Sequence, residues 1–149
     1  MVAIRPVEAD DAAAWLAMRR ELWPESSEAE HRDEIDQFLA GRSLEPAAVL
    51  LAEDVDARPL GFAELSVRHY AEGCRTQRVA YLEGWFVRPG TRQRGVGRNL
   101  VAAAEAWGRD QGCIEFASDA DPDNTASIAA HRALGFDDVG LVRCFRKNL

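Results

Sequence analysis

Arg92-Gln93-Arg94-Gly95-Val96-Gly97 lies between an apolar run, Tyr81-Leu82-Glu83-Gly84-Trp85-Phe86-Val87, and an amphipathic one from Asn99 to Trp107. The first run reads as a strand and the second as a helix. Glycines at such a junction let backbone N–H groups approach a ligand closely, and the helix dipole there favours an anion. Arg92, Arg94 and Arg98 add positive charge to the same corner. The combination suits a pyrophosphate and points to a nucleotide-like cofactor. By itself the segment is also compatible with a tight turn. It lacks the lysine of a P-loop and the third glycine of a dinucleotide fingerprint.

Two carboxylates raise a second question. Glu83 sits within an apolar strand, where an unpaired charge is costly to bury. Asp119 follows another short apolar run. Each either pairs with a neighbouring arginine or a cap, or serves a ligand.

The elements that must position these residues follow from periodicity. Val2 to Arg5 reads as a first strand. Asp10 or Asp11 can cap a helix running to about Leu22, with Trp15, Leu16, Met18 and Leu22 on its apolar side, and Pro24 ends it. Ser27 can cap a second helix whose stripe is Ile35, Phe38 and Leu39, closed by Gly41. Strands are expected at Ala48–Ala52, Leu60–Val67 and Ala80–Val87, with Arg68 to Arg78 as a loop. After the glycine segment the helix buries Leu100, Val101, Ala104 and Trp107. A strand at Ile114–Ala117, a helix from Asn124 to Leu134 and a last strand at Val139–Phe145 complete the order. The pattern predicts an α/β (α+β) fold, a mixed and mostly antiparallel central sheet flanked by helices, over one domain spanning residues 1–149.

Composition narrows the class. The chain has 149 residues, is 47% hydrophobic and carries a net charge of −7. That size supports a real core, and the negative charge disfavours a nucleic-acid partner. No apolar run approaches the roughly 20 residues that span a bilayer, and Met1 to Asp10 does not resemble a signal peptide, so a cytoplasmic location is expected. Cys74, Cys113 and Cys144 are widely spaced, which argues against a disulfide framework and a structural zinc site.

The glycine segment, in its strand-to-helix setting, resembles the Gln/Arg-x-x-Gly-x-Gly/Ala signature of the GNAT superfamily of acetyl-CoA-dependent acyltransferases. Asn124 followed by a helix leading to Ala133-Leu134-Gly135-Phe136 matches a second element of that superfamily. The resemblance narrows to aminoglycoside 6'-N-acetyltransferases. It is carried by Leu22-Trp23-Pro24, Arg68-His69, Gly73-Cys74, Leu82-Glu83-Gly84, Phe86-Val87, Ala117-Ser118-Asp119, Asn124-Thr125 and Arg146-Lys147.

The resemblance implies acetyl-CoA as co-substrate, no metal, a cationic aminoglycoside or related amine as acceptor, and a homodimer. It implies that Trp85, Phe86 and Val87 present strand backbone to the pantetheine arm. Arg92, Gln93, Arg94, Gly95, Val96 and Gly97 would hold the pyrophosphate, and Asn124 would lie near the reactive end. Trp23, Ser26, Tyr70, Glu83 and Asp119 would line the amine site. Glu83 and Asp119 would bind the ammonium and accept its proton, with Asp119 preferred as base.

Each side chain also has a plainer reading. Trp23 could plug the end of the first helix, Tyr70 could be surface, and Asn124 could be a helix cap. Family members often place a Tyr where this chain has His131 or Phe145, a His at Ser26 and an acidic residue at Gly140. A polyamine or sugar amine as acceptor, or a non-catalytic binding module, are the competing expectations.

Overall fold

The computed structural model describes residues 1–91 and 94–149, in two compact units, Met1–Ser118 and Asp119–Leu149. In the first unit, β1 (Ala3–Pro6) is followed by a short 3-10 turn, α1 (Ala12–Leu22) and α2 (Glu28–Leu39). Then come β2 (Ala48–Glu53), β3 (Pro59–Arg68), β4 (Val79–Val87), α3 (Val96–Asp110) and β5 (Phe116–Ser118). The sheet order is β1-β2-β3-β4-β5, antiparallel throughout except for the parallel β4–β5 pair. No helix among the described residues is long and apolar enough to cross a membrane.

The local signals act as their chemistry dictates. Ser27 caps α2 by accepting from the Glu30 N–H at 3.1 Å. Asp11 instead closes a capping box with Glu8 and is gripped by Arg5, so it organises the turn before α1. The alternation along β2 and β3 sends one set of side chains to each helical layer. Val49, Leu51 and Phe62 pack with Trp15, Leu16, Met18 and Ile35 under α1 and α2. On the opposite face Leu100, Val101 and Ala104 of α3 are buried, with Trp107 only half-buried.

Register between β3 and β4 jumps at one point. Glu64 pairs with Gly84 and Leu65 with Leu82, so Glu83 is the extra residue of a β-bulge. The bulge reverses the alternation of β4. Gly108 of α3 packs against Ala80, and Gly97 of α3 packs against Trp85 and Val87. An even-numbered residue before the bulge thus shares a face with odd-numbered residues after it.

Two strand expectations fail. The penultimate strand starts at Phe116, not Ile114: Ile114 is exposed, and the Glu115 carboxylate is turned onto the Arg75 and Thr76 N–H groups of the β3–β4 loop. Val139–Phe145 forms no strand among the described residues. The second unit contains α4 (Thr125–Ala133), and its described residues beyond that helix are in no strand.

Candidate active site

The end of β4 and the start of α3 form the first half of the site. The β4–β5 ladder stops at Leu82↔Ser118, while β4 continues beside β3 to Val87. The segment Glu83–Val87 therefore extends beyond the last β5 partner. Gly95 is the N-cap of α3 in the left-handed region (φ 75°), which glycine adopts without strain. It has no side chain to accept from the first-turn N–H groups, so they remain suited to an external anion. A Cβ on Gly97 would lie 3.1 Å from Trp85 Cζ2, so this glycine brings the helix start close onto β4. Arg94 is exposed beside it and Val96 is buried; Arg92 and Gln93 lie outside the described residues. Phe86 belongs to the core under α1 and α2.

The second half lies on the other face of β4. Glu83 accepts from Arg68 in a two-pronged pair, Nε to Oε2 at 2.8 Å and Nη2 to Oε1 at 2.5 Å. The Arg68 guanidinium also lies 3.5 Å from the Tyr81 ring centroid, and its hydrogen bonds to Glu83 push its pKa up. The carboxylate in an apolar strand is thus balanced by an arginine from the adjacent strand. Gly84 follows, and a Cβ there would meet Trp23 Cη2 at 2.6 Å. The indole of Trp23 occupies the space a side chain at residue 84 would fill.

Trp23 stands on a buried polar cluster that sequence reasoning missed. Arg19 and Glu64 are each 3% exposed, and Arg19 Nη1 donates to both Glu64 oxygens at 2.9 and 2.7 Å. Trp15 Nε1 donates to Glu64 Oε2 at 3.0 Å. Burial pushes the Glu64 carboxyl up, opposed by the guanidinium and the indole N–H. Arg19 Nε donates to His31 Nδ1 at 3.1 Å, and Arg19 Nη2 also pairs with Glu34. Because a guanidinium only donates, His31 Nδ1 is an acceptor, and Nε2–H donates to the Trp23 carbonyl at 3.1 Å. The sequence held one signal for this cluster. Glu64 is a charge inside an apolar strand, as Glu83 is.

Tyr70 is 65% exposed in the β3–β4 loop, where Glu72 accepts from its phenol and pushes its pKa up. Ser26 lines a shallow recess with Ala17, Arg20, Glu21, Pro24 and Glu28, against the outer side of α1. In the second unit, Asp119 and Asn124 are exposed, and Asn124 accepts from the Ser127 N–H at 3.0 Å as the cap of α4. His131 is half-buried, with Nδ1 2.7 Å from the Ser127 carbonyl and its ring against Phe136.

A strand followed by a glycine-capped helix is the arrangement expected from the GNAT resemblance. Residues 15–136 match the model of the acetyltransferase (GNAT) family. The chain belongs to the GNAT acetyltransferase family. This GNAT chain is 56% identical over 146 residues to an aminoglycoside N(6')-acetyltransferase type 1 of Klebsiella aerogenes, covering 98% of this chain and 96% of that protein. It is 43% identical to a protein of the same name from Stenotrophomonas maltophilia, covering 98% and 93%. Among solved structures, AAC(6')-Iy with the bisubstrate analogue CoA-S-monomethyl-acetylneamine superposes with a TM-score of 0.90 at 38% identity, covering 100% of this chain and 99% of that one. The mixed five-stranded sheet of this GNAT member is the expected fold class.

Proposed function

We propose that the chain is an aminoglycoside 6'-N-acetyltransferase, a single GNAT domain over residues 1–149 that transfers an acetyl group from acetyl-CoA to the 6'-amine of aminoglycoside antibiotics and so confers resistance. The observation that carries this reading is the likeness to aminoglycoside N(6')-acetyltransferases over nearly the whole chain, across both compact units. The start of α3 fits the donor: Gly95 leaves first-turn N–H groups for a pyrophosphate, and Gly97 lets them sit close to β4. Arg92, Gln93, Arg94 and Val96 join Gly95 and Gly97 in that grip. Trp85, Phe86 and Val87 offer strand backbone to the pantetheine arm, and Asn124 works near its reactive end.

Acetyl-CoA supplies a thioester acetyl group whose C–S bond breaks as the amine's N–C bond forms; of the two protons the ammonium nitrogen gives up, one goes to the protein and the other to the departing sulfur, so that CoA leaves as the thiol. The protein's part is to hold the amine and take its proton. Trp23, Ser26, Tyr70, Glu83 and Asp119 line the amine site. Arg68 occupies one lone pair on each Glu83 oxygen, so Glu83 suits binding of the ammonium through those that remain. Proton acceptance then falls to Asp119, directly or through water.

Two further assignments accompany this reading. Free Cys74, Cys113 and Cys144 suit a reducing, cytoplasmic compartment. The exposed Val139, Leu141, Val142 and Phe145 of the C-terminal segment suit pairing with a second copy in a homodimer. Light scattering would read a dimer mass, falling to a monomer mass in a Leu141→Lys, Phe145→Lys double variant.

The central test is an amine panel with acetyl-CoA, with mass analysis of the acetylated position. Kanamycin and tobramycin acetylated at the 6'-amine support the assignment. Turnover confined to polyamines or simple sugar amines moves the acceptor elsewhere. Tight aminoglycoside binding without transfer makes the chain a binding module.

A further inference from the structure

The buried Arg19–Glu64–His31 cluster does more than fill the layer between α1, α2 and the sheet. A buried ion pair is weak evidence for stability, because apolar side chains of similar volume often do as well or better. What distinguishes this cluster is what it touches. The Arg19 guanidinium carbon lies 4.9 Å from the Trp23 ring centroid. The His31 ring stacks on the same indole at 6.4 Å with a 19° interplanar angle. His31 Nε2 donates to the Trp23 carbonyl, and Glu64 pairs in register with Gly84, on which the indole rests. Trp23 is the residue that ends α1, at φ −125° and ψ 71°, outside the helical region. A residue leaving a helix has no regular ladder to fix its carbonyl; that of Trp23 accepts from the Ser26 N–H at 3.3 Å and from His31 of this cluster at 3.1 Å.

We infer that His31, with Arg19 and Glu64 behind it, is a positioning residue that fixes the indole of Trp23 beside the Glu83 bulge and so sets affinity for the amine substrate. The inference rests on the assignment of Trp23 to the amine site. It adds a specificity role for side chains that are sealed from solvent and touch no substrate. His31 is 1% exposed, so it acts only through Trp23. A glutamine at residue 31 keeps one donor and one acceptor; a phenylalanine keeps the stack and loses both.

The test combines kinetics with a signal independent of substrate. In wild type, His31→Gln, His31→Phe, Trp23→Ala and the His31→Phe, Trp23→Ala double variant, KM is measured for kanamycin and for acetyl-CoA. The Trp23 indole N–H resonance, assigned by its loss in Trp23→Ala, is followed in the same proteins. His31→Phe is expected to shift that resonance and raise the kanamycin KM about tenfold, a loss equal to one hydrogen bond to a buried group. The acetyl-CoA KM should stay put, and His31→Gln should restore most of the loss. In the Trp23→Ala background, His31→Phe should add nothing, since coupled residues are not additive.

An unmoved resonance, additive costs, or an equal rise in the acetyl-CoA KM would overturn the inference. A shifted resonance with the kanamycin KM unchanged in both His31→Phe and Trp23→Ala removes Trp23 from the amine site and defeats the affinity role. Absence of any aminoglycoside turnover in wild type defeats the functional assignment and with it the affinity role, while the resonance still reports whether His31 fixes the indole. If His31→Phe does not fold, Arg19→Met with Glu64→Leu removes the buried pair in apolar form and carries the same readouts.

Discussion

The two faces of β4 are built on different principles. On the α3 face the chain uses small residues and backbone: Gly95 in the left-handed region, Gly97 against Trp85, Gly108 against Ala80. On the α1–α2 face it uses large side chains and charge: Trp23 against Gly84, Arg68 on Glu83, and Arg19 on Glu64. Backbone N–H groups recognise an anion whose geometry does not vary, such as a pyrophosphate. Side chains recognise a cation and are free to vary with the acceptor. Under the proposed site assignment, the difference teaches that donor and acceptor recognition would be separable, although both hang on one strand. The bulge at Glu83 separates them by reversing the side-chain alternation within that strand.

The largest expected effect falls on proton transfer. Asp119→Asn should lower kcat about 100-fold or more, while acetyl-CoA affinity by calorimetry stays near wild type. Comparable losses in both would mean that Asp119 belongs to neither role cleanly.

Next in size is Gly84→Val. Its Cβ would lie 2.6 Å from Trp23 Cη2, and a rigid indole cannot yield that space cheaply. Destabilisation of about 1–3 kcal/mol by chemical denaturation is expected, with a raised kanamycin KM and an unchanged acetyl-CoA KM. A rise in the acetyl-CoA KM alone would erase the division between the faces.

Gly97→Ala probes the opposite face more gently. The new Cβ would lie 3.1 Å from Trp85 Cζ2, a mild overlap, while alanine gains up to about 1 kcal/mol of helix propensity over glycine. These terms oppose each other, so the melting temperature should barely move. The acetyl-CoA KM should rise several-fold with the kanamycin KM unchanged, which steady-state kinetics reads directly.

The smallest effect serves as a control outside both regions. Arg5 holds the Asp11 carboxyl below its ordinary value of 3.8, helped by the Glu8 N–H. A depressed folded pKa contributes stability that is fully present above the unfolded value and lost as pH falls through the folded one. Asp11→Asn should therefore be less stable than wild type at pH 7, with the gap closing below about pH 4 in denaturant titrations. Catalysis at neutral pH should be untouched, unlike in the Gly84 and Gly97 variants.

Much of the α3 face was legible in the sequence because its determinants are contiguous. Gly95 and Gly97 announce themselves beside a strand and before a helix, and Ser27 and Asn124 mark their helix starts by local capping chemistry. Trp85 and Phe86 followed from an apolar run. The acceptor face was legible only as a set of candidates. Glu83 was conspicuous as a charge in an apolar strand, but its arginine lies 15 residues earlier in the chain. His31 was hidden in an acidic, polar-looking helix, and Glu64 passed as one polar residue in a strand. The C-terminal run Val139–Phe145 has the pattern of a strand but is not one among the described residues.

The sequence by itself determined the order of elements, the glycine-capped start of α3 and the GNAT resemblance, because each depends on residues near one another along the chain. Only the tertiary structure decided that Glu83 is the bulge residue paired with Arg68, that Gly84 seats Trp23, and that Arg19, His31 and Glu64 are buried beneath it. These depend on strand register and on contacts between residues far apart in the chain, such as Arg19 and Glu64, 45 positions apart, and Trp23 and Gly84, farther still. A one-residue change of register would send the same side chains to the other face.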